Sequence, residues 1–230
     1  MNTTAEINIV ANTFRHKKGK KKNKKHMKRM IDEEQKIYYY KNDSNLRDYY
    51  INDNNISNIS KPRNKIQQVY LDYLNNDMYQ IVLATGPAGT GKTMFGCEMG
   101  ITRLISGDIH KLIITRPAVS VDEEIGFLPG TLEDKMLPWM RPIYDVFSNF
   151  LTMTEIKLLL KDEYIEICPL AYMRGRTFKN CWIIADEMQN ATESQMKMLL
   201  TRIGENSKLI ITGDLNQHDR GFEANGLKNF

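Results

Sequence analysis

The sequence predicts an α/β fold, and two stretches carry that prediction. The first is Gly86 to Thr93, a glycine-rich loop of the form G-x-x-x-x-G-K-[ST]. It lies between an apolar β-prone run, Gln80 to Thr85, and a helical pattern from Met94 to Ile105. The second is a further apolar run, Cys181 to Ala185, which ends in Asp186-Glu187. Three more short apolar runs read as buried strands: Lys111 to Thr115, Tyr164 to Cys168 and Lys208 to Thr212.

In chain order, residues 1–60 carry no folding signal. Met1 to Phe14 shows no clear period, Ile31 to Tyr40 suits a short helix, and Asn42 to Ser60 is thick with Asn, Asp and Ser. Such composition buries too little apolar surface to offset chain entropy. The domain is expected over 61–230. Pro62 to Leu74 predicts a capped helix with Ile66, Val69, Tyr70 and Leu74 on one face. The helix after the glycine loop places Phe95, Met99, Thr102 and Ile105 at helical spacing. Glu123 to Gly130 reads as a loop that packs Phe127 and Leu128. Leu132 to Leu151 is helical but should break at Pro138 and Pro142. Thr154 to Lys161 is another short helix, and Thr192 to Arg202 an amphipathic one with a capping-box spacing from Thr192 to Gln195. Its apolar face is Met196, Leu199, Leu200 and Ile203.

Strand, glycine loop and helix together make a phosphate site. Gly86, Pro87, Ala88, Gly89, Thr90, Gly91, Lys92 and Thr93 form the cradle. Glycines let the backbone approach closely, and loop N–H groups with the helix N-terminus point at the anion. Lys92 reads as a solvent-accessible ligand of the β- and γ-phosphates, and Thr93 as a Mg²⁺ ligand. Asp186-Glu187 at a buried strand end matches the Walker B arrangement: Asp186 orients Mg²⁺, and Glu187 places and deprotonates water. After the last strand, Gly213-Asp214 leads to Gln217, a polar residue placed to sense the γ-phosphate. Arg174 and Arg176 flank Gly175 after a strand, where open α/β sheets bind ligands, with ordinary surface ion pairs as the lesser alternative.

Charge is unevenly spread. The formal net charge is +4, but Arg15 to Arg29 alone holds ten Lys and Arg and no acid, leaving 22 basic and 28 acidic residues elsewhere. The basic run suits phosphate-backbone binding or a nuclear address, and equally a solvated tail. Cys97, Cys168 and Cys181 are odd in number, far apart and set in apolar patterns, which predicts buried thiols in a reducing compartment. The four histidines lack ligand spacing, and no apolar run reaches membrane-spanning length or resembles a signal peptide. A cytoplasmic protein without membrane contact is the expectation.

Taken together, the motifs resemble the PhoH-like family of P-loop ATPases, related to the RecA-like first domain of one helicase superfamily. The matching stretches are Gly86 to Thr93, Thr115 to Val119, Gly126 to Gly130, Arg141 to Asp145, Pro169 to Phe178, Asp186 to Asn190, Thr201 to Gly204 and Thr212 to Gln217. The resemblance implies a parallel sheet with helices on both faces. It implies ATP and Mg²⁺ as ligands, RNA or another single-stranded nucleic acid as partner, and in some members a homo-oligomeric ring. Gln67 falls where the family carries an adenine-reading glutamine. Members are frequent in phages and other viruses, and the Asn/Lys/Ile-rich composition suits an AT-rich viral genome. Two departures stand out: Asp122 replaces a usual Gly, and the family usually continues beyond Phe230 with a further helix and strand, so the domain is expected to be cut short there.

The expected function is therefore Mg-dependent ATP hydrolysis coupled to nucleic-acid handling. The alternative is a nucleotide-gated binding module with little turnover. Glu187 and Gln217 favour water as nucleophile over a small-molecule phosphotransferase. Helicase relatives supply an arginine finger from a second domain, so the resemblance implies an arginine acting in trans. Arg174 and Arg176 rank slightly ahead of Arg202 because Gly175 lies between them, with grip on a nucleic-acid phosphate as their alternative role.

Overall fold

The computed structural model describes residues 8–13, 59–117, 132–217 and 226–228, with backbone alone for 8–13 and 132–139. The basic run, the helix expected over 31–40, the Asn-rich stretch up to residue 58 and the loop expected over 123–130 lie outside the described residues.

Five strands form a parallel sheet: β2 (Tyr79–Thr85), β3 (Lys111–Arg116), β4 (Ile165–Pro169), β5 (Cys181–Ala185) and β6 (Lys208–Gly213). A sixth, β1 (Asn8–Thr13), is antiparallel to β2 and completes the order β1-β2-β6-β5-β3-β4. β1 departs from the expectation that residues 1–60 are unstructured. The edge of β2 offers a row of N–H and C=O groups that need partners, and backbone pairing requires no apolar period in the strand that covers it.

Period-two alternation in the central strands splits the core into two layers. Val82, Ala84, Leu112, Ile114, Ile184 and Ile210 face one side. Ile113, Ile183, Ala185, Leu209 and Ile211 face the other. The first layer is covered by α1 (Lys65–Asn75), α2 (Lys92–Ile105), α3 (Leu132–Phe147) and α4 (Met153–Lys161), and the second by α5 (Glu193–Leu200) with two short 3₁₀ turns, Leu170–Met173 and Met188–Asn190. This is the P-loop NTPase arrangement of a parallel sheet with helices on both faces.

The caps follow local sequence. Asn64 accepts from Gln67 N at the start of α1, and reciprocal capping boxes open α4 (Thr152, Glu155) and α5 (Thr192, Gln195). The expected face of α1 holds for Tyr70 and Leu74, but Val69 is 44% exposed while Gln67 and Leu71 turn inward. α1 ends on Lys208, whose buried Nζ donates to the carbonyls of Tyr73, Leu74 and Asn76.

α3 runs through both prolines without the expected break. Pro138 and Pro142 are four residues apart, so their missing N–H groups fall on one side of the helix. Downstream of Pro138, Met140, Ile143 and Phe147 are buried. At about 1.5–3 kcal/mol per buried apolar side chain, that stripe contributes about 4.5–9 kcal/mol against the ~6 kcal/mol of two helical prolines.

All three cysteines are free and buried, as expected. Burial pushes the Cys168 thiol up to about 12 and the Cys181 thiol up to about 11. No helix among the described residues is long and apolar enough to cross a membrane.

Candidate active site

β2, β5 and β6 end side by side, and the groups they deliver converge on a cleft of about 230 Å³. β2 leads into the glycine loop, which is pinned to the end of β6 by Gly86 N donating to Gly213 O at 3.1 Å. Gly89 and Gly91 take left-handed φ values of 75° and 88°. At Gly91 a Cβ would also meet the Phe95 ring at 3.1 Å. α2 begins at Lys92, two residues earlier than the apolar pattern suggests, so its free N–H groups open directly onto the cleft.

Lys92, Thr93, Asp186, Glu187, Asp214 and Gln217 line the cleft together. The Thr93 hydroxyl donates to Asp186 Oδ1 at 2.6 Å, although the two are 93 residues apart. Thr212 donates to the same oxygen at 2.5 Å, a partner that sequence reasoning missed because a threonine inside an apolar strand looks like any β-branched residue. Asp186 is further fixed by its own N–H, which donates to Thr115 O at 2.9 Å.

Lys92 differs from its expected exposure: it is 9% exposed. Its Nζ turns back to donate to the carbonyls of Gly86 (2.6 Å) and Pro87 (2.7 Å). Burial lowers its pKa, while the nearby carboxylates of Glu187, Asp214 and Asp186 work in the opposite direction. Glu187 has φ 53°, an uncommon left-handed backbone for a side chain of its size. The Tyr70 hydroxyl braces the start of α2, donating to Lys92 O at 3.0 Å.

The donor set fits Mg²⁺. One hydroxyl and one carboxylate, both hard oxygen donors, meet at hydrogen-bond distance beside a phosphate loop, and Mg²⁺ is commonly held by one or two protein oxygens plus substrate phosphates. Among the described residues no group of three or more His, Cys, Asp or Glu gathers into an all-protein metal cage.

Other expected site residues lie outside this lining. Gln67 is buried beneath the loop; its Nε2 donates to Thr90 O at 3.0 Å, and its Oε1 accepts from Arg63 N. Arg176 forms a two-pronged pair with Glu166 and stacks over the Phe178 ring at 4.6 Å. Arg202 is tied to the Arg176 carbonyl at 2.9 Å and to Met198 O at 3.2 Å. Arg174 is exposed on the turn after β4.

The PhoH-like protein family matches residues 59–230. A PhoH-like protein of Bacillus subtilis (strain 168) is 50% identical over 139 residues, 60% of this chain and 44% of its own length. Protein PhoH of Escherichia coli (strain K12) is 45% identical over 159 residues, 68% of this chain and 44% of its own. A PhoH-like protein of Synechocystis is 44% identical over 151 residues, 65% of this chain and 46% of its own. The chain thus spans about half the length of the curated relatives it matches. With its parallel sheet and its phosphate loop at the sheet's C-terminal edge, the chain belongs to the PhoH-like family of P-loop proteins.

Proposed function

We propose that the cleft binds Mg-ATP and hydrolyses it, and that turnover serves the handling of RNA or another single-stranded nucleic acid. The observation that carries this reading is the meeting of Thr93 and Asp186 at 2.6 Å in the cleft that Lys92 and Glu187 also line. Loop N–H groups and the α2 N-terminus bind the phosphates. Lys92 exchanges two backbone carbonyls for phosphate oxygens. Thr93 and Asp186 would hold a Mg²⁺, which would supply charge neutralisation for the phosphates. Glu187 orients water and takes its proton. Gln217, at the cleft wall, reports the γ-phosphate to the loop after β6. Gln67 supports the site from below the loop, and its family role at the adenine would require the amide to leave Thr90 O and Arg63 N.

An arginine from a second copy of the chain completes the site in a homo-oligomer. Arg174 ranks first, because the guanidinium groups of Arg176 and Arg202 already have partners within the chain. The basic run Arg15 to Arg29 supplies nucleic-acid phosphate contacts.

The test is phosphate release from Mg-ATP by the wild type and by Lys92→Ala, with and without single-stranded RNA. Turnover should be stimulated by RNA and lost in Lys92→Ala without loss of the thermal transition. Equal release by both proteins contradicts the assignment. Deleting residues 1–30 should weaken RNA binding and flatten its salt dependence, since fewer counterions are released.

A further inference from the structure

One buried polar side chain beside the cleft has no role in the reading above. Gln189 is 0% exposed, in the 3₁₀ turn that follows β5. Its amide is engaged at both ends. Nε2 donates to Glu187 Oε2 at 2.5 Å, and Oε1 accepts from Asp214 N at 3.0 Å. A carboxylate can only accept and a backbone N–H can only donate, so a single orientation of the amide satisfies both.

These bonds tie the ends of two strands together. Glu187 follows β5 and Asp214 follows β6. Asp214 in turn shapes the next turn: its Oδ1 accepts from Asn216 N at 2.9 Å, and its carbonyl accepts from Gln217 N at 3.3 Å. A second observation shows that room is kept for the amide. A Cβ at Gly213 would lie 2.9 Å from Gln189 Oε1 and 2.5 Å from Leu227 Cδ2. Glycine at 213 thus lets the buried amide lie against the backbone of β6.

We propose that Gln189 is a positioning residue for hydrolysis. It holds the Glu187 carboxylate by one oxygen, leaves the other to face the attacking water, and links that carboxylate to the loop bearing Gln217. Released from Gln189, the Glu187 side chain gains rotamers that point away from the water, and misplacement by about 1 Å can cost ~10²-fold in rate. This inference rests on the hydrolytic reading above.

The test uses Gln189→Met, of similar length but without the amide, in the full chain. Steady-state kinetics should show kcat reduced about tenfold or more with the KM for Mg-ATP within about twofold, as expected when placement of the base, and not nucleotide binding, is lost. Amide exchange at Asp214 should accelerate, because its N–H loses its acceptor. In a Glu187→Gln background the same substitution should change kcat no further. Wild-type kcat in Gln189→Met, or an equal loss in the Glu187→Gln background, overturns the proposal. If Gln189→Met does not fold, the isosteric Gln189→Glu sets a carboxylate against Glu187, and unchanged kcat there is equally contrary. If the wild type itself does not turn over ATP, the hydrolytic reading fails on its own account. Asp214 exchange then decides the tie: a rate equal to wild type in the variant refutes it.

Discussion

At Lys92 burial and charge pull in opposite directions. Loss of water around Nζ disfavours the ammonium, the carboxylates of Glu187, Asp214 and Asp186 favour it, and two loop carbonyls accept its protons. The same lysine therefore braces the loop and stands ready for an anion. Glu166, on β4, is the contrasting case, because its partners all favour one state. Hydrogen bonding from Arg176, helped by Lys111, holds its carboxyl down at about 2 against the opposing effect of burial. A carboxylate depressed in the folded state adds stability above its unfolded pKa of about 4.5 and loses it as pH falls towards 2. Arg176 is 38% exposed, so solvent screening keeps the effect modest. We expect the melting temperature of the wild type to fall more steeply between pH 5 and pH 2.5 than that of Glu166→Gln, with the two curves converging at the acid end. Parallel curves would show that the pair does not affect stability.

At the scale of elements, α2 determines how closely the phosphate loop sits on the sheet. Gly96 and Gly100 lie one turn apart on the face that meets β5. Trp182 Nε1 donates to Gly96 O at 3.1 Å, and a Cβ on Gly100 would be 2.7 Å from Trp182 Cδ1 and 2.9 Å from Leu112 Cδ1. Gly100→Ala gains about 1 kcal/mol of helix propensity but forces overpacking that typically costs ~1–3 kcal/mol. The clash involves a fully buried indole, so we expect a net loss and a melting temperature lower by a few degrees. A higher one would mean that α2 slides freely on the sheet. Strands and caps were legible in the sequence because their signals are local: apolar runs for β2 to β6, Thr192 with Gln195 for α5. The course of α3 was not, because burial of Met140, Ile143 and Phe147 depends on partners distant in the chain. Nor was β1, because Met1 to Phe14 shows no clear period and its pairing partner, β2, lies some seventy residues on. In the site, loop and carboxylates were legible from motif chemistry. The parts played by Thr212 and Gln189 were not, since each depends on which strands become neighbours.

At the scale of the whole molecule, parallel strand order brings Thr93 and Thr212 to one oxygen of Asp186. No arginine joins the described lining of that cleft. An arginine supplied from outside is worth ~10³–10⁵ in rate for phosphoryl transfer, and a heterologous contact between identical subunits can close a ring around such shared sites. Mixing Lys92→Ala with Arg174→Ala, each inactive alone, should restore partial ATPase activity, since some interfaces would pair an intact loop with an intact arginine. A mixture that stays inactive while both proteins assemble removes Arg174 from this role, as does full activity of Arg174→Ala by itself.

In the proposed mechanism Glu187 acts on water in a site where Thr93 and Asp186 would hold the metal. The most direct measurement compares Glu187→Gln with the wild type in two assays on the same samples: binding of a fluorescent ATP analogue with Mg²⁺, and phosphate release from Mg-ATP. Affinity should stay within a few-fold of wild type, and hydrolysis should slow by ~10²–10⁴-fold, the range for loss of a general base. Wild-type hydrolysis, or a collapse of nucleotide affinity in the variant, would contradict this mechanism.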